Sequence, residues 1–229
     1  MNDKKICFIL CVNSMLFFDE CVRYIERLVI PDGYELDLIT VTEAQSMAKG
    51  YNEAMQTSDA KYKVYMHQDV FIVYPFFLQS ILDIFASDED IGMIGAVGAE
   101  KMPSDGVMWH NWRRGNLYTS NTEDVFDELS YVQYQYQLSD GLWEAQAIDG
   151  LIMITSKDVS WREDIFDGWD YYDVSQSFEM IRAGYKVVVP EQILPWCLHD
   201  DGILNLKNHD KYRRICMQEY TDFFGEERE

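Results

Sequence analysis

Basic residues are scarce in this chain, which has 19 Lys and Arg against 40 Asp and Glu and a formal net charge of −21 at pH 7. A surface this acidic repels phosphate backbones, so the sequence argues against nucleic-acid binding. An anionic ligand therefore needs a local source of positive charge, such as a metal ion, a helix N-terminus or a few basic side chains.

Long apolar runs and organised cysteines are also missing. No run reaches the roughly 18–20 apolar residues that span a bilayer, so we expect no transmembrane segment. Lys4 and Lys5 precede the apolar run 6–18, but Asn13 and Ser14 interrupt it and no small-residue cleavage site follows, unlike a secretory signal. The five cysteines match no zinc spacing, and their odd number argues against a closed disulfide framework. We expect a cytoplasmic protein that reaches a membrane only through partners.

The 229 residues are rich enough in hydrophobic (48%) and aromatic (14%) side chains to bury a sizeable core. Over the first hundred residues, strand-type and helical patterns alternate, which predicts an α/β fold with a doubly wound parallel sheet. The predicted strands are 6–12, 35–41, 62–66 and 91–97, and the predicted helices are 17–28, 46–57 and 75–86, the last with Pro75 at its first position.

The second half changes character, because residues 99–146 are rich in Trp, Tyr, Asn and Gly without a clean period. Such a stretch is typical of a functional loop or lid. Beyond it we predict a strand at 147–155, a helix at 174–183 stopped by Gly184, a strand at 185–189, a polar-ended loop at 195–202 and a terminal helix at 208–224. The alternation in 131–136 predicts an edge strand.

The most informative segment is Lys61 to Ile72, where an apolar run is interrupted by His67-Gln68-Asp69. In open α/β sheets, ligands bind outside the carboxyl ends of the strands. An imidazole and a carboxylate at positions i and i+2 of a strand share a face and suit a divalent cation, with oxygen ligands favouring Mg or Mn. The alternative is a strand end that turns polar on reaching solvent.

Four segments follow one another in a recognisable order. They are residues 6–14, Ser46-Met-Ala-Lys-Gly-Tyr-Asn-Glu-Ala-Met55, Met66-His-Gln-Asp69, and Phe166-Asp-Gly-Trp-Asp-Tyr-Tyr-Asp173 with Arg182-Ala-Gly-Tyr185. The set resembles the GT-A glycosyltransferases that use nucleotide sugars, nearest to glycosyltransferase family 2 and its family 2-like relatives. That family writes Gly-x-x-x-Ala-Arg-Asn-x-Gly in the second segment, Asp-x-Asp in the third and a Glu-Asp pair in the fourth. His67 and Tyr172 depart from it, since each stands where the family has an acid.

The resemblance implies a GT-A-type, Rossmann-like fold with a mostly parallel central sheet flanked by helices. It implies one domain over 1–229, with a nucleotide-binding half (1–98), an acceptor half (99–206) and a C-terminal helix (207–229). The implied activity is inverting transfer of a sugar from a nucleoside diphosphate, with UDP favoured, to a carbohydrate or lipid-linked acceptor in polysaccharide or glycoconjugate synthesis. A homo-oligomer stays open.

The resemblance also implies a divalent Mn or Mg ion, with Asp69 as first ligand, His199 as second and His67 as a weaker third. The alternative for His199 is a loop histidine bonded to Asp200 or Asp201.

Asp173 is the general base that the motif alignment implies, with Asp170 as runner-up. An Asp at a helix start also caps free amides, and a capping carboxyl usually has a lowered pKa, which makes it a poorer base.

Further polar and aromatic residues are candidates for holding the donor or the acceptor. Those chosen are Asn13, Ser14, Glu43, Lys49, Asn52, Gln68, Asp149 and Trp169. Trp169 resembles the tryptophan that lines acceptor pockets, and it is one of six tryptophans in the second half, at 109, 112, 143, 161, 169 and 196. The plainer alternatives are a helix cap for Ser14, an exposed helix lysine for Lys49 and a turn cap for Asp149.

Other functions remain in view. A nucleotide-sugar-binding protein without turnover would fit the departures at His67 and Tyr172. A nucleotidyltransferase usually needs a glycine-rich basic loop after its first strand, and Cys11-Val-Asn-Ser-Met-Leu16 has neither quality. A glycoside hydrolase needs two facing carboxylates, but acids are too common here for their number to decide anything.

Overall fold

The computed structural model describes residues 1–110, 113–121, 131–135, 141–202 and 205–224. Trp112 and the last residue of the predicted edge strand 131–136 lie outside these ranges. The described strands are β1 Asn2–Val12, β2 Glu35–Thr42, β3 Ala60–His67, β4 Val70–Ile72, β5 Ile91–Gly95, β6 Val97–Ala99, β7 Arg113–Asn121, β8 Tyr131–Gln135, β9 Leu142–Glu144, β10 Ala147–Ile148, β11 Ile152–Thr155, β12 Lys186–Pro190 and β13 Cys197–Gly202. The described helices are α1 Met15–Ile25, α2 Met47–Thr57, α3 Phe77–Ser87, the short 3-10 helix Met108–His110, α4 Tyr172–Arg182 and α5 His209–Glu219.

The larger sheet has the strand order β2-β1-β3-β11-β5-β12-β9. Strands β2, β1, β3, β5 and β12 run parallel, whereas β11 and β9 run against them. The predicted mostly parallel α/β sheet is therefore confirmed, with two antiparallel insertions among the described strands.

Helices cover both faces of this sheet, and strand β1 shows why, because it is apolar on both faces. Ile6, Phe8 and Leu10 join a core with residues of α1 and α3, and Cys7 and Ile9 join a second core with residues of α2 and α4. Consecutive side chains of a strand point to opposite faces, so this division follows directly from the uninterrupted apolar run. Helix α5 packs on α4 in a third, largely aromatic cluster.

A second sheet, of order β10-β6-β7-β13-β4 with β8 beside β7, lies at the carboxyl end of β3. Segment 195–202, predicted as a loop, contains strand β13, so that prediction is wrong. β13 pairs with β4 and β7, and the pair His199↔Val70 sets its register against β4. Its polar residues form ladder hydrogen bonds that composition alone does not reveal. The strand predicted at 131–136 is confirmed over β8.

Three local predictions also need correction. The strand predicted at 147–155 is two strands, because Asp149 Oδ1 accepts the Leu151 N–H at 2.8 Å in a turn between β10 and β11. Helix α3 begins at Phe77, so Pro75 precedes it. Ser14 occupies the N-cap position of α1 but makes no side-chain cap bond there. Within the described residues, no helix is long and apolar enough to cross a membrane.

Candidate functional site

His67, Asp69 and His199 come together at the carboxyl end of β3, and we call them the His–Asp–His cluster. β3 ends at His67, and Asp69 follows in a tight turn rather than on the strand as predicted. The Asp200 N–H donates to Asp69 O at 2.9 Å, which places the neighbouring His199 beside that turn. Asp69 Oδ1 lies 3.6 Å from His199 Nε2 and 4.0 Å from His67 Nδ1.

The two imidazoles of the cluster differ in charge preference. Burial, helped by the neighbouring His199, lowers the pKa of His67 to about 4, so His67 is neutral at pH 7. Burial also opposes charge on His199, but Asp69, with Asp149 and Asp201, outweighs it and raises the pKa of His199. For Asp69, burial favours the neutral acid, yet both histidines together lower its pKa, so it stays ionised.

The cluster fits a divalent cation. Asp69 Oδ1 is buried and has no hydrogen-bond partner in the described part of the chain, since 3.6 Å to His199 is too long for one. A buried carboxylate oxygen left in this state is costly unless a cation or water satisfies it. One carboxylate and two imidazoles are ligands that Mn²⁺ accepts, and the three side chains offer ligand atoms within 4.8 Å of one another.

A cavity of about 150 Å³ opens beside the cluster. It brings together residues predicted from distant segments: His67, Asp149, Trp169, Asp170 and Asp173 all line it. Trp169 is 50% exposed, so its ring is available to a ligand at the mouth. The predicted metal side and the predicted acceptor side therefore meet in one cavity.

Asp173 lies in the first turn of α4, where it accepts two backbone N–H groups. Oδ1 accepts from Val174 at 2.8 Å and Oδ2 from Gly150 at 2.9 Å. These bonds favour the carboxylate, but burial and the nearby Asp149 outweigh them and raise the pKa of Asp173 to about 7. The low pKa expected of a capping Asp is thus absent. A carboxylate has about four lone-pair sites, so Asp173 keeps capacity to accept a proton from the cavity.

The backbone just before Asp173 is strained. Tyr171, the N-cap residue of α4, has φ +62°, a left-handed conformation that is rare for a bulky residue. Its hydroxyl donates to Gly106 O at 2.9 Å and is buried. Such strain persists only where surrounding contacts impose it, and here it sets the direction in which Tyr172 and Asp173 leave the loop.

Gln68 ties β3 to the loop after β1. Its Oε1 accepts the N–H groups of Asn13 at 3.0 Å and Ser14 at 2.9 Å, and its Nε2 donates to Asn13 Oδ1. The three polar residues predicted at these strand ends therefore lie together. Their contact with a nucleotide stays a prediction.

The remaining candidates have other contacts. Asn52 is buried and donates to Trp161 O and Glu163 Oε2, both at 2.9 Å, while its Oδ1 accepts the Trp161 N–H. Lys49 Nζ donates to Gln45 Oε1 at 2.7 Å on the exposed side of α2. Glu43 follows β2, exposed, with φ +61°. A ligand would have to displace or share the bonds of Asn52 and Lys49.

Some site residues escaped the sequence reasoning. Trp109 and His209 line the cavity, and Tyr172 Oη lies 2.6 Å from His67 Nε2. Trp109 was visible only as one of six tryptophans, and His209 as a residue of a terminal helix. The pairing of Tyr172 with His67 had a signal, because both were already marked as departures from the family pattern.

The fold and the site define a protein built like the nucleotide-sugar glycosyltransferases, and comparison with known proteins agrees. A family model described as "Glycosyltransferase like family" matches residues 7–220. The chain therefore belongs to this glycosyltransferase-like family. A search of curated proteins finds no match.

Three similar solved structures show the same fold. They are the mannosyltransferase PcManGT from Pyrobaculum calidifontis in complex with GDP-Man and Mn²⁺ (11% identity, TM-score 0.55), GalNAc-T7 with UDP, GalNAc and Mn²⁺ (10%, 0.59), and TarS from S. aureus in complex with UDP (9%, 0.55). They cover 93%, 97% and 98% of this chain. The chain spans only 61%, 50% and 67% of theirs. The GT-A-type fold predicted from the motif order is confirmed.

Proposed function

We propose that this protein transfers a sugar from a nucleoside diphosphate, UDP first among the candidates, to a hydroxyl of a glycan or glycoconjugate, with inversion at the anomeric carbon. One observation carries the proposal: His67 of the cation-fitting cluster and the carboxyl of Asp173, whose pKa is raised, line the same cavity. A transferase needs both, since charge must be neutralised on the leaving group and a proton removed from the acceptor.

His67, Asp69 and His199 would hold the divalent cation, Mn or Mg. When bound there, the cation supplies the positive charge that stabilises the leaving diphosphate. The chain supplies little other positive charge, because no Lys or Arg is among the residues that line the described cavity. The resident cation is therefore more important here than in a basic protein.

Asp173 would act as the general base. Its carboxylate takes the proton of the acceptor hydroxyl as that oxygen bonds to the anomeric carbon, and the bond from this carbon to the diphosphate oxygen breaks with its electron pair leaving on the diphosphate. A single displacement from the opposite face inverts the anomeric configuration. A pKa near 7 matches a base that must be partly ionised and still basic at neutral pH.

The acceptor subsite would favour an uncharged sugar. Three carboxyl groups, those of Asp149, Asp170 and Asp173, line the cavity, so an acidic sugar would be repelled. Trp169 offers a flat apolar face of the kind that stacks on sugar rings. We place this chemistry in polysaccharide or glycoconjugate synthesis.

Titration calorimetry tests the proposal directly. UDP is titrated into wild type and Asp69→Ala with and without Mn²⁺, and GDP is run in parallel because a similar structure carries GDP-Man. We expect Mn²⁺-dependent UDP binding that Asp69→Ala loses. A screen of UDP-sugars, in which the release of UDP is measured for each, then identifies the donor. Absence of UDP binding with and without metal would contradict the UDP proposal.

The departures at His67 and Tyr172 favour one alternative, a nucleotide-sugar-binding protein that no longer turns over. It predicts the same Mn²⁺-dependent UDP binding, with no UDP release from any donor and acceptor pair. The raised pKa of Asp173 supports the enzyme, because perturbed pKa values cluster at sites whose chemistry moves a proton.

A further inference from the structure

Two positions at which this chain replaces an acid of the family motifs touch each other. His67 stands where the family writes the first Asp of its metal motif, and Tyr172 where it writes the Glu of its acidic pair. They are 105 residues apart in sequence, yet Tyr172 Oη lies 2.6 Å from His67 Nε2. Two departures that meet at hydrogen-bond distance are better understood as one change than as two independent losses.

On the tyrosine side, the contact is packed among buried aromatic rings. Tyr172 is 4% exposed, and its ring stands 5.9 Å from Tyr51 and 6.2 Å from Trp161, both also buried. Behind the hydroxyl, a Cβ added to Gly150 would lie only 2.1 Å from Oη. The phenol therefore has no room to swing away from His67, and glycine at 150 is what admits it.

The geometry also separates the two ring nitrogens of His67. Nε2 faces the hydroxyl of Tyr172, whereas Nδ1 lies on the side of Asp69, 4.0 Å from its Oδ1. A histidine binds a metal through an unprotonated nitrogen and commonly donates its other N–H to an outer partner, which fixes both tautomer and ring orientation.

We propose that Tyr172 is a positioning residue for the cation: its hydroxyl oxygen accepts the Nε2 proton of His67 and leaves the Nδ1 lone pair directed at the ion. The inference rests on the proposed function, since it needs a cation at the His–Asp–His cluster. It explains how a chain without the first family Asp keeps a usable ligand there. An imidazole held by a neutral phenol replaces one carboxylate without adding to an already acidic site.

Mn²⁺ affinity gives the first test, measured by calorimetry on the intact protein without nucleotide. Tyr172→Phe keeps the ring and removes only the acceptor, and we expect Mn²⁺ to bind about 10- to 100-fold more weakly, the usual effect of losing such a partner. The matched control is Tyr220→Phe, which removes another buried tyrosine hydroxyl, 2.7 Å from Ser175 Oγ, on a residue that does not line the cavity. It should leave Mn²⁺ affinity within about twofold, as expected for a site outside the coupled pair.

The tautomer gives the second test, and it needs no metal. Side-chain ¹⁵N spectra of the four histidines, with His67 assigned through His67→Gln, should show the single His67 ring proton on Nε2 in wild type and a mixture of the Nε2–H and Nδ1–H tautomers in Tyr172→Phe. A general loss of structure would change thermal melting and all histidine signals together. A change confined to His67 indicates positioning.

The outcomes separate cleanly. Wild-type protein that binds neither Mn²⁺ nor Mn²⁺-dependent UDP would contradict the proposed function. Wild-type binding that Tyr172→Phe leaves unchanged would contradict this inference alone, as would a wild-type His67 protonated on Nδ1. If wild type and Tyr220→Phe bind Mn²⁺ with similar affinity and Tyr172→Phe binds it far more weakly, both stand.

Discussion

Two carboxyl groups of this site, those of Asp69 and Asp173, have surroundings that shift their pKa values in opposite directions. Asp69 is partly buried beside two imidazoles, which lower its pKa, whereas Asp173 is partly buried near Asp149, and its pKa rises to about 7. Burial alone raises the pKa of any carboxyl, so the sign is decided by the charge of the nearest neighbours. In the proposed function, the same residue type would hold a cation at position 69 and a proton at position 173.

Removing the charge of Asp69 should have the largest effect, because it should greatly weaken binding of both the cation and the nucleotide. In Asp69→Asn the cluster loses its carboxylate, and we expect Mn²⁺ binding to weaken by more than about 100-fold, beyond the loss of an outer-shell partner. Mn²⁺-dependent UDP binding should be lost with it. Calorimetry measures both, and Asp88→Asn is a suitable control because Asp88 pairs with Lys186 just before β5, at the opposite end of the sheet. Equal affinity in Asp69→Asn and wild type would show that the ion binds elsewhere.

Removing the charge of Asp173 should spare UDP binding and greatly slow turnover. In Asp173→Asn we expect kcat to fall about 100- to 10,000-fold, the usual contribution of general acid–base catalysis. Mn²⁺-dependent UDP binding should persist, because the His–Asp–His cluster is intact. Asp170→Asn is the comparison, since Asp170 lines the same cavity. A larger loss in Asp170→Asn than in Asp173→Asn would transfer the role of base to Asp170.

This contrast was only partly predictable. The strand ends that carry His67, Gln68 and Asp69 were evident from the apolar pattern, because parallel strands end at one edge of the sheet. His199 was less evident, since β13 is polar and looks like a loop until its pairing with β4 and β7 is known. Strands, and the polar residues at their ends, could be predicted wherever an apolar pattern marks the strand.

The electrostatic roles depend on contacts that sequence does not encode locally. The pKa of Asp173 follows from burial and from Asp149, which a separate turn delivers. Asn52 is predicted to contact the nucleotide, and its amide already bonds to Trp161 and Glu163, which lie 109 and 111 residues further along the chain. Long-range contacts of this kind decide whether a polar side chain remains available to a ligand.

Replacing Asp149 offers a way to shift the pKa of Asp173 without removing the proposed base. Its negative charge is one cause of the raised pKa of Asp173, so Asp149→Asn should lower that pKa while burial keeps it above the ordinary value. A base works when deprotonated, so wild-type kcat/KM should fall as pH drops through about 7, and in Asp149→Asn this fall should move to lower pH. The measurement is kcat/KM against pH for both proteins. An unchanged or raised midpoint would show that Asp149 does not act on the base.

The smallest expected effect separates the acceptor from the donor. Trp169 is half exposed beside Asp170 at the cavity, so Trp169→Ala should raise the acceptor KM by about three- to tenfold, the loss of one aromatic contact, and leave Mn²⁺-dependent UDP affinity unchanged. Trp143→Ala is the matched control. Trp143 lies on β9, where the Arg114 guanidinium carbon stands 3.7 Å from the centre of its ring, and it does not line the cavity. Initial rates against acceptor concentration, with UDP titrations, distinguish the two. If Trp169→Ala weakens UDP binding instead, the part of the cavity around Asp170 and Asp173 also holds the donor. The division between a cation site and an acceptor site would then fail.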